Sequence, residues 1–173
     1  RAVIAAAGID LGGTKIEGIV LDEQGEELFR KRIPTGREDG YEAIIERIGR
    51  LNDTLLEETG HPAHTFGIGT PGALSLQTGL LKNSNTVCMN GKPVKDDLEE
   101  RLGRPIAIQN DANCFAMAES RLGAGRGKEL VFGVIMGTGC GGGIVCGGRV
   151  LTGLQSIAGE WGHMAIEPHG AMC

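Results

Sequence analysis

Val3-Ile-Ala-Ala-Ala-Gly-Ile-Asp10-Leu-Gly-Gly-Thr-Lys15-Ile-Glu-Gly-Ile-Val-Leu-Asp22 is an apolar run, a glycine pair and a second apolar run. Both runs have strand length and composition, so residues 3–10 and 15–22 are expected to be strands joined by a very tight turn at Gly12-Gly13-Thr14. The first strand delivers an acid, Asp10, to its end. Two glycines then allow the backbone N–H groups to face an anion, and Thr14 adds a hydroxyl. Such backbone nests bind phosphate, although Gly-Gly is equally ordinary in a plain hairpin. A third strand, Glu27–Ile33, follows the turn Asp22-Glu-Gln-Gly25 and completes an antiparallel meander.

Further along, Tyr41, Ile44, Ile45, Ile48, Leu51, Leu55 and Leu56 repeat at helical spacing over residues 41–59, and Gly60 stands at the C-cap position. Thr65–Gly69 is a short strand stopped by Thr70-Pro71-Gly72. An Asn-rich loop carrying Asn83, Ser84, Asn85 and Asn90 comes next. Val94–Leu102 reads as a helix with early acids and a late arginine, closed by Gly103. Pro105–Gln109 is a strand and Ala112–Leu122 a helix that starts at Asp111. Gly123-Ala-Gly-Arg-Gly127 interrupts the pattern, so a domain boundary is placed there, giving residues 1–122 and 123–173. The second part opens as the first does, with a strand (Leu130–Met136), a glycine turn (Gly137–Gly143) and a strand. A hairpin over Gly147-Gly148 follows.

Composition narrows the class of function. The chain is 40% hydrophobic and 23% charged, enough for a real core. Its 30 glycines among 173 residues lie in short clusters, which points to sharp turns or close backbone approach. A net charge of −5 with no basic stripe argues against nucleic-acid binding. No apolar stretch reaches membrane-spanning length, and no signal-peptide pattern stands apart from the first strand. Of five irregularly spaced cysteines, the first four (Cys88, Cys114, Cys140 and Cys146) suggest reduced cytosolic thiols.

Three other constellations carry chemistry. Gly137-Thr-Gly-Cys-Gly-Gly-Gly143 repeats the phosphate-turn design in the second part. It also matches Gly-x-Gly-x-x-Gly, as does Gly67-Ile-Gly-Thr-Pro-Gly72, but no helix follows either, so a dinucleotide-binding fold is rejected. Asp111 in Asn110-Asp111-Ala-Asn113 sits where a strand ends and a helix begins. It is either a helix cap or the acid that takes a proton from an attacking hydroxyl. Glu160 and His163 are three apart; if helical they share a face and could grip vicinal sugar hydroxyls, and otherwise they are a surface pair.

Together, Asp10-Leu-Gly-Gly-Thr-Lys15, Gly67–Gly72, Asn110–Asn113, Gly137–Gly143 and Gly159-Glu-Trp-Gly-His163 resemble the ROK family of bacterial repressors and sugar kinases, in order and over nearly the whole chain. The resemblance implies an α/β actin-like (ribonuclease H-like) fold, with a complete N-terminal domain and an incomplete C-terminal one. It implies an ATP-dependent hexose kinase, with Asp111 as general base. Gly72, Asn85, Asn110, Asp111, Glu160 and His163 match the sugar-contacting positions. Gly12, Gly13, Thr14 and Lys15 match the first phosphate turn, and Gly137, Thr138, Gly139, Cys140 and Gly141 the second. Asp10 would approach a magnesium ion through water. His163 and Cys173 match two of the four ligands of a structural zinc, which leaves that site incomplete here. The chain is accordingly expected to be poorly active by itself. The loop Leu81–Thr86 with Met89–Pro93 looks most like bacterial fructokinases, so fructose is the expected substrate, ahead of glucose, mannose and the N-acetylhexosamines. A cytoplasmic homodimer or homotetramer is implied for the full-length protein. A sugar-sensing repressor is the alternative; it would need a sizeable N-terminal piece ahead of the strand at residue 3 to carry a helix-turn-helix, and it sits badly with the retained Asp111 and both phosphate turns. Other actin-like phosphotransferases share the phosphate turns but not Glu160-x-x-His163.

Overall fold

The computed structural model describes residues 4–60, 65–137, 139–162 and 167. They fall into two compact units, Arg1–Asp111 and Ala112–Cys173.

The first unit is built on a five-stranded sheet. The meander is as expected: β1 (Ile4–Leu11), β2 (Lys15–Asp22) and β3 (Glu27–Pro34) pair antiparallel. β4 (Thr65–Thr70) then pairs parallel to β1, and β7 (Ala107–Asn110) parallel to β4, giving the order β3-β2-β1-β4-β7. Two short strands, β5 (Ala73–Leu74) and β6 (Leu81–Lys82), form a ribbon between β4 and β7 in sequence. Neither is legible in the sequence, because two-residue strands carry no periodicity. β3 is the sheet edge. It carries Glu27, Arg30, Lys31 and Arg32, a charged and largely exposed set that discourages pairing with another chain.

α1 (Tyr41–Thr59) and α2 (Val94–Leu102) occupy the expected residues. Gly60 closes α1, donating its N–H to the Leu56 carbonyl at 2.8 Å. The apolar stripe of α1, with Ile44, Ile48, Leu51 and Leu55 buried, lies in one core with Ile9, Leu11, Ile16, Val20, Phe66, Ile68, Val94 and Leu98. Each such side chain contributes ~1.5–3 kcal/mol by leaving water. Arg101 ties the two helices together, pairing with Glu46 at 2.8 Å and Asp53 at 2.9 Å.

The second unit, from Ala112 on, holds all but the first residue of α3 (Asp111–Arg121), with β8 (Leu130–Met136), β9 (Cys140–Cys146) and β10 (Arg149–Val150) in the sheet order β10-β9-β8. α3 lies close on this sheet. A Cβ at Gly133 would sit 2.9 Å from that of Ala116, which is fully buried. That packing groups α3 from Ala112 on with the second unit. No helix among the described residues is long and apolar enough to cross a membrane.

Candidate functional site

Parallel pairing brings three strand ends level. Asp10 of β1 faces Gly69 of β4, and Thr70 of β4 faces Asn110 of β7. The chain therefore presents Asp10, Pro71-Gly72 and Asn110-Asp111 along one edge of the sheet, where parallel α/β sheets bind their ligands. Asp111 is the first residue of α3, directly after the last residue of β7.

The Gly12–Thr14 turn closes on itself. Gly12 donates to the Lys15 carbonyl at 2.9 Å, and a Cβ on Gly12 would sit 2.8 Å from that same oxygen. Only glycine fits without moving the backbone. The turn is pinned from the side by Thr35, just past the end of β3. Its Oγ1 donates to the Gly12 carbonyl at 2.7 Å, and its N–H donates to the Thr14 carbonyl at 3.0 Å. Thr35 is completely buried. Sequence reasoning missed it, and only the pairing of Lys15 with Pro34 could have pointed to it.

Gly72 is a second position that requires glycine. Its φ is +81°, and a Cβ would lie 2.3 Å from the Lys82 carbonyl oxygen and 2.8 Å from the Ser84 nitrogen. The Gly72 carbonyl accepts a hydrogen bond from Asn110 Nδ2 at 2.9 Å, which fixes the Asn110 amide beside the strand ends. The Asn-rich loop is held by Asn90. Its Oδ1 accepts from the Ser84 N–H at 2.8 Å, and its Nδ2 donates to the Ser84 carbonyl at 2.9 Å. Asn83 takes a left-handed φ of 58° in that loop. The result aims Asn85 at the phosphate turn: a Cβ on Gly13 would lie 3.5 Å from Asn85 Oδ1.

The electrostatics of this edge are negative. The Asp10 pKa is raised above its ordinary value. Crowding by neighbouring atoms is the leading cause, although the residue keeps an exposed surface. The charges of Asp111 and Glu17 add to it, and Arg32 works against it. Glu17 itself is held below its ordinary value despite burial, because Arg30 and Arg32 bond its carboxylate. Adjacent carboxylates of this kind suit a divalent cation. Magnesium bound with phosphate and water needs only one or two carboxylates from protein. Among the described residues no group of three or more acidic, histidine or cysteine side chains forms a metal cage.

The second unit assembles its own part. Gly137 donates to the Gly139 carbonyl at 2.9 Å, within the second glycine turn. Trp161 Nε1 donates to the Gly141 carbonyl at 2.8 Å. A Cβ on Gly141 would lie 3.6 Å from Glu160 Oε2, so Glu160 stands beside the turn. Glu160 and Trp161 belong to no helix, so the shared helical face considered for Glu160 and His163 does not form at its Glu160 end. Chain reversal, not helical spacing, brings Glu160 to Gly141. Thr138, His163 and Cys173 lie outside the described residues.

The ROK family model matches residues 6–173. An N-acetyl-D-glucosamine kinase of Haemophilus influenzae is 41% identical over 162 residues, 94% of this chain and 53% of the relative. A glucokinase of Thermotoga maritima is 39% identical over 168 residues, 96% of this chain and 52% of the relative. The crystal structure of a ROK family glucokinase from Streptomyces griseus in complex with glucose and AMPPNP superposes with a TM-score of 0.84 at 34% identity. It covers 97% of this chain and 53% of that one. The chain thus spans about half the length of these relatives and has their mixed α/β, actin-like fold. By sequence and by fold, the chain belongs to the ROK family.

Proposed function

We propose that the full-length protein is a hexose kinase that moves the terminal phosphoryl group of ATP to a sugar hydroxyl. One observation carries this reading. Asp111 stands at the level ends of β1, β4 and β7, in the electrostatic field of Asp10 and in the same unit as a closed glycine turn. A kinase needs that combination, because the transferred group has to be held while a base accepts the proton of the attacking hydroxyl.

Asp111 is the general base. It takes the hydroxyl proton as the oxygen attacks phosphorus, and the nucleotide diphosphate departs. Gly72, Asn85, Asn110, Glu160 and His163 are assigned to the hexose. The turns Gly12 to Lys15 and Gly137 to Gly141 are assigned to the phosphates, with the N–H groups of Gly12 and Gly137 spent on closing the turns themselves. ATP would supply the phosphoryl group, and Asp10 would help hold magnesium, which would screen the phosphate charge. The names of the relatives support ATP and a hexose.

The sugar is the finer question. The loop Leu81–Thr86 supports fructose, whereas the relatives are named for glucose and N-acetylglucosamine. The deciding experiment is coupled ADP release by the full-length protein with fructose, mannose, glucose, N-acetylglucosamine and N-acetylmannosamine. Release with none of them rejects the kinase reading, and the preferred sugar names the substrate.

A further inference from the structure

Thr86 lies next to Asn85 in the loop that faces the phosphate turn. It is 1% exposed, and its Oγ1 has no hydrogen-bond partner in the structure. Its backbone is fully engaged: the N–H donates to Ser84 Oγ at 3.2 Å, and the carbonyl accepts from the Met89 N–H at 2.9 Å. The side chain is therefore placed by a well-tied loop and cannot turn out to water without dismantling it. Its hydroxyl points at Gly13, where a Cβ would lie 3.8 Å from Oγ1.

A buried hydroxyl without a partner is disfavoured, and valine would fill the same volume without that cost. An orphaned group of this kind calls for a state in which it is satisfied. The Gly12–Thr14 turn lies against it at Gly13, where a Cβ would be in ordinary van der Waals contact with both Asn85 and Thr86.

Building on the kinase reading, we propose that Thr86 is a positioning residue for phosphoryl transfer. The Gly12–Thr14 turn settles onto the Thr86 hydroxyl when it holds the nucleotide phosphates, and this bond sets the turn against Asn85 and the hexose. The interaction exists only in the loaded state, so it favours the transition state over the free enzyme.

The test uses the full-length protein with its preferred hexose. T86V keeps the shape and removes the hydroxyl, and T86S keeps the hydroxyl. For T86V the expectation is a roughly tenfold fall in kcat/KM for ATP, the size of one lost hydrogen bond, with the hexose KM within about twofold of wild type. Its melting temperature should be unchanged or higher, since an unsatisfied group is gone. T86S should recover ATP kinetics to within about threefold. Wild-type kinetics in T86V overturn the proposal. So does a T86V whose defect follows lost stability and is not recovered by T86S. A wild-type protein that phosphorylates no hexose overturns the kinase reading and this proposal with it, whereas active wild type with unaffected T86V overturns this proposal alone.

Discussion

At the scale of single residues, Asp111 and Gly72 show how differently two positions of one site can be constrained. On the kinase reading, Asp111 is a chemical requirement. D111N keeps the size of the side chain and removes its basicity, so sugar binding should persist while turnover falls by ~10²–10⁴-fold. Hexose titration followed by protein fluorescence, alongside ADP release, checks both halves. If D111N turns over at the wild-type rate, Asp111 is only the start of α3. Gly72 is a steric requirement. With φ at +81° and the Lys82 carbonyl where a Cβ would go, G72A should cost at least about 2 kcal/mol, measured by urea unfolding. Asp111 was legible in the sequence because an acid after a strand, next to Asn110, has a recognisable setting. Thr35 and Thr86 were not. Each acts through a neighbour set by strand register or loop path, and a lone threonine carries no such signal.

Among the elements, α1 and α2 are held by different physics. α1 is held by its apolar stripe. Ile48 is completely buried, so I48A should cost ~2–5 kcal/mol through lost burial and a residual cavity. Chemical denaturation of the chain measures it. α2 and the strand after it depend more on polar ties. Glu99 accepts from Lys95 Nζ at 2.6 Å and from the Ile106 N–H at 2.9 Å. Those bonds, the Lys95 one first, hold its carboxyl below the ordinary glutamate value. A depressed folded-state pKa means the stabilisation is present above the unfolded-state pKa and is lost as pH falls through the folded one. E99Q should therefore lower stability in the neutral region and flatten the acid limb, with the two stability-against-pH curves converging at low pH. An acid limb identical to wild type would show that Glu99 is too well solvated to matter. α1 and α2 were legible to the residue because their periodic apolar faces end in glycines. β5 and β6 were not, because they exist through pairing with each other.

For the whole molecule, the second unit exposes one face of β8. Leu130, Phe132, Val134 and Met136 alternate along it, each at least 40% exposed. A row of four large apolar side chains is more than a soluble surface usually presents. The 173-residue chain should therefore bind the dye ANS in its native state, and F132S should reduce that fluorescence. Equal dye binding by F132S would place the apolar surface elsewhere.

The sequence by itself determined the α/β class, the order of the main elements and the residue types able to hold phosphate and sugar. The class and the element order rest on local pattern (alternation, helical period and glycine turns), and the sugar-holding residues on the resemblance to the ROK family. The fold decided which of them meet. Parallel register set Asp10 level with Gly69 and Thr70 level with Asn110, and the Asn90 clamp turned Asn85 toward Gly13. Chain reversal, not helical spacing, put Glu160 against Gly141. Contacts between residues far apart in sequence follow from strand pairing and packing, and no local pattern encodes them.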